Sequence, residues 1–277
     1  MNARPWFVKW GGSLITHKTR PRTVRRQVLR RLADELAAFR AAHPDVPILL
    51  GHGSGSFGHW AARAHNWQGR TPPAPADWKA VMAVAQAAAE LHAQVLETLR
   101  AAGIPAWSFP PSASVLAHNG QIRDWNIATL AHALQTGWVP VVYGDVVLDT
   151  RQGGAILSTE DLFMALAPLL RPTRLLLAGQ EPGVWRAWPQ REDIWSRITP
   201  AEWAAAQRGM GAAQGVDVTG GMAGKVARMV ALVQQHPDVE VRIFSGLSPG
   251  TFRRALEGEP VGTLISAATP SGGGQGT

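Results

Sequence analysis

Short apolar runs alternate with helical stretches along nearly the whole chain. The runs are Trp6–Trp10, Ile48–Leu50, Val139–Tyr143, Thr173–Ala178 and Val239–Phe244, with Gly262–Ile265 as the last. Strands that alternate with helices in this way imply a sheet covered on both faces. The alternation therefore predicts an α/β fold, a mostly parallel sheet with helices on each face. Between the runs, helices are expected over residues 23–43 with Thr23 as N-cap, over 77–102 with Asp77 as cap, and near 126–135 and 160–169. Others are expected from Gly221 onward and just before the final strand. His118-Asn119-Gly120 reads as the turn of a hairpin across 113–125, and a glycine turn follows Tyr143.

Of 277 residues, 45% are hydrophobic and 17% charged, enough for a substantial core. Residues 1–266 read as one domain, and the Ser/Gly-rich 267–277 as a disordered tail. The chain has no cysteine, which excludes disulfides, thiolate zinc sites and a cysteine nucleophile. No apolar run follows the N-terminal charge, and none reaches the ~18–20 residues of a membrane span. A cytoplasmic protein is expected, with no membrane partner. The net charge of +7 raises the question of nucleic acid. However, Arg20, Arg22, Arg25, Arg26, Arg30 and Arg31 alternate with Val28, Leu32, Leu36 and Phe39 at helical spacing. They read as the solvated side of an amphipathic helix, so no nucleic-acid partner is expected.

Three glycine-rich segments carry the chemistry. In Lys9-Trp-Gly11-Gly12-Ser13-Leu-Ile-Thr16-His-Lys18 a strand runs into paired glycines, which let backbone N–H groups approach an anion, with a lysine on either side. A tight strand exit with solvent lysines would look the same. His52-Gly53-Ser54-Gly55-Ser56-Phe57-Gly58-His59 follows a strand and enters a helix, the setting in which a helix N-terminus holds phosphate. Gly53, Gly55 and Gly58 also fit G-x-G-x-x-G, but the acid a dinucleotide site needs after the next strand is missing. Asp217-Val-Thr-Gly220-Gly221-Met-Ala-Gly224-Lys225 is one residue short of a Walker loop, and Val226 replaces its Ser/Thr. The chain has only four lysines, and three of them (Lys9, Lys18, Lys225) lie in the first and third segments. In a chain that otherwise uses arginine, a compact ammonium at these places points to phosphoryl chemistry.

These three blocks closely resemble the isopentenyl phosphate kinases of the amino acid kinase superfamily. The likeness extends through Tyr143-Gly144-Asp145-Val146, Ser158–Asp161 and Gly262-Thr263-Leu-Ile. The Ser-Phe-Gly-His ending of the second block looks like the branch whose acceptor is already a phosphate or phosphonate. The resemblance implies an open three-layer α/β/α sandwich with a roughly eight-stranded sheet, usually a homodimer, that transfers the γ-phosphoryl of ATP to isopentenyl phosphate. Mg²⁺ would arrive on the ATP phosphates, with no metal ligands from the protein. By motif position, Lys9 and Lys18 would neutralise the transferred group. Gly11, Gly12, Ser13, Ser54, Gly220, Gly221 and Lys225 would join Lys9 around ATP. Gly53, Ser54, Gly58, His59, Asp145 and Thr159 would hold the acceptor, His59 by bonding its phosphate. Asp161 would match the acid that positions the lysines.

Three departures stand out. Ser54 replaces the middle glycine of the family's Gly-Gly-Gly, and Ser158-Thr-Glu-Asp161 replaces Ser-Gly-Asp-Asp. Gly179-Gln-Glu-Pro-Gly-Val-Trp185 replaces Asp-Val-Asp-Gly-Val-Tyr near the nucleotide. Two alternatives follow: a fosfomycin or phosphonate kinase, and a binding protein of the same fold with a decayed nucleotide site. The helix after Asp77 presents Trp78, Val81, Met82 and Ala85 on one face, as core or as a lining for the acceptor tail.

Overall fold

The computed structural model describes residues 3–67, 78–209 and 221–267. In chain order the elements begin with β1 (Trp6–Trp10), α1 (Gly12–Ile15), α2 (Arg26–Ala42), β2 (Ile48–His52), α3 (Gly55–Ala64), α4 (Trp78–Ala101) and β3 (Ala106–Ser108). They continue with β4 (Val115–His118), β5 (Gln121–Trp125), α5 (Ala128–Gln135), β6 (Val139–Tyr143), β7 (Asp145–Asp149), β8 (Gly153–Leu157) and α6 (Thr159–Leu170). The last are β9 (Arg174–Gly179), β10 (Arg197–Ile198), α7 (Trp203–Gly209), α8 (Gly221–Gln235), β11 (Glu240–Ser245), α9 (Thr251–Leu256) and β12 (Thr263–Ile265). The main sheet has eight strands in the order β10-β12-β11-β9-β1-β2-β6-β3. It is parallel from β11 to β3, while β12 runs antiparallel to β11. This is the predicted three-layer α/β/α architecture.

Period-two alternation along each strand divides the core between the two faces. Val8, Leu50, Val141 and Leu176 pack with Leu32 and Leu36 of α2 and Leu91 and Val95 of α4. Phe7, Leu49, Val142 and Leu177 pack on the other side with Leu162 and Phe163 of α6 and Met229 and Val233 of α8. The same alternation sends Lys9 toward the α6–α8 face, and His52 and Tyr143 toward the α4 face.

Several expectations need correction. Thr23 does not cap α2; the N-cap is Arg25, and no side chain bonds the cap. Gly12–Ile15 forms a short helix rather than a simple turn. The glycine turn after Tyr143 is followed by a hairpin, β7–β8, that completes a second sheet ordered β5-β4-β7-β8. Its strands are short, and β8 opens on Gly153-Gly154, which hid the hairpin in the sequence. The β4–β5 turn is where expected, with Asn119 and Gly120 both at positive φ. In the arginine cluster Arg20, Arg22, Arg26 and Arg30 are exposed as expected, and only Arg25 and Arg31 are half-buried. Arg22 pairs with Glu90, Arg25 bonds the Thr16 carbonyl, and Arg31 bonds the carbonyls of Gly246, Leu247 and Ser248. Val81 is core and Ala85 packs against it, whereas Trp78 and Met82 are exposed. Asp77, Gly220 and the tail beyond Ala267 lie outside the described residues. No helix among the described residues is long and apolar enough to cross a membrane.

Candidate active site

The parallel strands end in register. Trp10 pairs with His52 and with Ala178, His52 with Tyr143, and Ala178 with Phe244. Their loops therefore leave from one edge of the sheet, the carboxyl edge at which open α/β sheets bind ligands. Backbone bonds from Gly11 to Ala178, Gly53 to Trp10, Gly144 to His52 and Gly246 to Gly179 lock the loop starts together. The first two glycine segments touch backbone to backbone. A Cβ on Gly12 would come within 2.4 Å of the Gly55 nitrogen, and one on Gly53 within 2.9 Å of the Gly12 nitrogen. Gly55 has φ +52, and its Cβ would strike the Thr16 hydroxyl at 2.3 Å. Thr16 joins the two loops: its Oγ1 accepts from the Ser56 N–H at 2.9 Å and donates to the Gly12 carbonyl at 2.7 Å. The glycines are thus required by close approach, and the first turns of α1 and α3 lie side by side.

A charged centre sits under these loops. Lys9, at the end of β1, is buried and pairs with Glu160 in the first turn of α6. Lys225, in the first turn and a half of α8, approaches the other Glu160 oxygen at 3.8 Å. Burial alone would raise the Glu160 carboxyl, but Lys9 and then Lys225 outweigh it and bring it down to about 2. Burial pulls Lys9 below the usual lysine range, against the opposing pull of Glu160. Lys9 and Lys225 thus meet on one ionised carboxylate, with the Lys225 side chain still 29% exposed.

Asp161 makes neither of these lysine contacts, although its charge also favours the charged form of Lys9. One of its oxygens accepts from the Ser158 N–H and hydroxyl, closing a capping box, and the other lies 3.5 Å from Arg228. Glu160 makes the lysine contacts instead. It stands third in the Ser-Thr-Glu-Asp segment, where the family pattern has its first aspartate, and the longer acid hid the match. Thr159 turns its side chain inward: Oγ1 donates to the His52 carbonyl at 2.7 Å, and its methyl lies where a Gly51 Cβ would go. Its N–H remains at the helix start, where α6 itself provides no partner.

Ser54 is the N-cap of α3 and makes no side-chain cap bond. Its hydroxyl occupies the space above Gly58, whose Cβ would lie 2.4 Å from it. His59 is exposed at the fifth residue of α3, one turn further along than the sequence reading places it. Lys18 is exposed on the loop after α1, and the Trp60 indole donates to its carbonyl at 3.3 Å, holding that loop beside α3. Asp145 is buried; its oxygens accept from the Ser112 and Val146 N–H groups and bond the Tyr143 hydroxyl. No contact among the described residues brings it to the lysine centre. Gly221 opens α8 at φ +61. In the divergent segment, Gln180 Nε2 donates to the Ser13 carbonyl at 2.8 Å, and Glu181 accepts from the Trp185 indole. Sequence reasoning missed the Thr16, Glu160 and Gln180 links because each joins residues distant in the chain.

The amino acid kinase family profile matches residues 4–245. An isopentenyl phosphate kinase of Methanothermobacter thermautotrophicus is 33% identical over 274 residues, covering 94% of this chain and 98% of its own. The Haloferax volcanii enzyme of the same name is 34% identical over 252 residues, covering 89% and 97%. A solved isopentenyl phosphate kinase superposes with a TM-score of 0.78 at 30% identity, covering 94% of this chain and 99% of that one. A UMP kinase of Bacillus anthracis shares the fold at a TM-score of 0.63. On these matches, and with its glycine loops gathered over a lysine–glutamate centre, the chain belongs to the amino acid kinase family and to the isopentenyl phosphate kinases within it.

Proposed function

We propose that the chain transfers the γ-phosphoryl group of ATP to isopentenyl phosphate, giving isopentenyl diphosphate and ADP. The observation that carries this reading is the convergence of Lys9 and Lys225 on Glu160 beneath two abutting glycine loops. An oxygen of the acceptor phosphate bonds to the γ-phosphorus as the bond from that phosphorus to the β,γ-bridging oxygen breaks, and ADP leaves with the electron pair. The acceptor phosphate has its second pKa near about 6, so it is largely dianionic at neutral pH and needs no general base. What the reaction requires is that two polyanions be held together and their repulsion offset. Glu160 fixes Lys9 and Lys225 at the nucleotide side, where the N–H groups of Gly12 and Ser13 add donors. The exposed ammonium of Lys18 reaches the group in transfer. The α3 side, with Gly53, Ser54, Gly58 and His59, takes the acceptor phosphate. Mg²⁺ belongs to the substrate as MgATP. Both acids at the centre already face cations or N–H groups, which suits a metal carried on the nucleotide phosphates. The working form in this reading is a cytoplasmic homodimer, which sedimentation of the purified protein tests.

A coupled assay of ADP release, run with isopentenyl phosphate, with fosfomycin and with no acceptor, tests the activity. ADP formation that depends on isopentenyl phosphate is expected. Equal or greater turnover on fosfomycin would favour the phosphonate kinase, and no turnover with tight acceptor binding would favour the decayed binding protein.

A further inference from the structure

Behind the second glycine loop lies a buried polar chain that the reaction as written does not use. His52 ends β2 with its Nδ1 3.2 Å from the Gly53 carbonyl and its Nε2 3.0 Å from Nδ1 of His92 on α4. His92 Nε2 in turn lies 2.9 Å from the Ser108 hydroxyl at the end of β3. The Tyr143 ring stacks on both imidazoles, at 5.5 Å from His52 and 4.1 Å from His92. Both histidines are buried.

The direction of this chain follows from its ends. A carbonyl oxygen only accepts, so His52 must carry its proton on Nδ1 and donate to Gly53. A neutral His52 then has a bare Nε2, which accepts from Nδ1–H of His92. His92 in turn presents a bare Nε2 to the Ser108 O–H. Burial favours the neutral form of each ring, lowering His52 to about 4 and His92 to about 2. Every donor in the chain points toward the loop.

We propose that His92, Ser108 and His52 form a positioning relay that sets the peptide plane between Gly53 and Ser54 and thereby aims the Ser54 N–H at the acceptor phosphate. In a trans peptide the C=O and N–H point opposite ways, so holding the Gly53 oxygen back toward β2 turns the Ser54 N–H out. The Ser54 nitrogen lies 3.7 Å, and the Thr159 nitrogen 3.8 Å, from the position a Cβ on Gly144 would take. The two nitrogens thus flank one point beside a residue with no side chain, with the Leu157 carbonyl oxygen on its remaining side at 3.5 Å. The contacts of Gly53 and Gly55 with Gly12 and Thr16 seat the loop, and the relay sets the turn of the one peptide plane that ends in the Ser54 N–H. The proposal rests on assigning the 52–59 loop to the acceptor, and its test separates the two.

The test has a spectroscopic and a kinetic part. In the wild-type protein labelled with ¹⁵N, long-range proton–nitrogen correlation is expected to show both His52 and His92 as neutral Nδ1–H tautomers at pH 7. An Nε2–H tautomer on His52 would overturn the relay, whatever the variants do. His92→Phe removes the donor to His52, and Ser108→Ala, the milder change, removes the first donor. Each is expected to raise the KM for isopentenyl phosphate about 3- to 10-fold, the worth of one hydrogen bond, with the KM for ATP within twofold of wild type. His92→Asn keeps an N–H near the place of Nδ1 and is expected to recover part of the loss. A purely structural histidine would lower stability in both His92 variants without this KM split. Wild-type acceptor KM in folded His92→Phe would overturn the proposal. The expected tautomers with the loss falling on ATP would keep the relay and overturn the assignment of the loop to the acceptor.

Discussion

At the scale of single residues, Glu160 is the group on which the others depend. Its folded pKa of about 2 lies below the about 4.3 of an unfolded glutamate. A depressed acid contributes stability that is full above the unfolded value and lost as pH falls through the folded one. Glu160→Gln leaves Lys9 buried without its counter-charge and is expected to cost about 3 kcal/mol at pH 7. In urea unfolding, that gap to wild type should narrow as pH drops from about 4.5 toward 2. A gap of equal size at pH 7 and 2.5 would remove the ion pair as its cause. His59 tests the acceptor side. A hydrogen bond to a charged group is worth roughly 1.5–3 kcal/mol, so His59→Ala should lose about 10- to 150-fold in kcat/KM for isopentenyl phosphate. Asparagine at this position should restore part of the loss, and the KM for ATP should move far less. A variant impaired chiefly for ATP would show the two substrates on the opposite loops. Lys18→Ala and Lys225→Ala should lower turnover with little change in unfolding midpoint, since neither ammonium is buried. Wild-type turnover in either variant removes that lysine from the reaction.

Among the elements, the first turn of α3 shows how a departure from the family pattern is accommodated. Ser54 puts a hydroxyl where the pattern has hydrogen, and Gly58 one turn on leaves the room for it. Gly58→Ala would bring a Cβ to 2.4 Å from Ser54 Oγ and 2.8 Å from its Cβ, an overpacking worth about 1–3 kcal/mol. In a Ser54→Gly background the same alanine should cost little, and a double-mutant cycle by thermal unfolding measures the difference. Additive effects would mean that the two positions do not press on each other. The arginine excess also finds part of its account among the elements. Arg174, Arg186 and Arg191 lie over the rings of Trp6, Trp195 and Trp188, so arginine stacking absorbs some of the many tryptophans.

For the molecule as a whole, the loops proposed to hold the nucleotide leave from several strands of one sheet edge and are tied together through Glu160, Thr16 and Gln180. MgATP binding to the folded state alone should therefore stabilise the whole chain. At 100 times its Kd the gain is about 2.7 kcal/mol, or roughly 5–10 °C in Tm for a chain of this length. Thermal unfolding with and without MgATP measures it. An unchanged Tm at saturating nucleotide would contradict nucleotide binding by the native fold.

Much of this was legible in the linear chain. Apolar runs alternating with helical stretches required a covered, mostly parallel sheet, and the paired glycines and rare lysines marked segments that the fold gathers at one sheet edge. The same period-two alternation that sorts Phe7 from Val8 places Lys9 on one face and His52 on the other. Local pattern could not decide which carboxylate the lysines meet. Glu160 and Asp161 are neighbours in the sequence, and only the rotation of α6 assigns one to the lysines and the other to the helix cap. Likewise, Thr16 on Ser56, Gln180 on Ser13 and His92 on His52 join residues 40 to 167 positions apart. Such pairings depend on strand register and helix packing, which bring distant loops to one edge, and a reading of local periodicity carries no information about them.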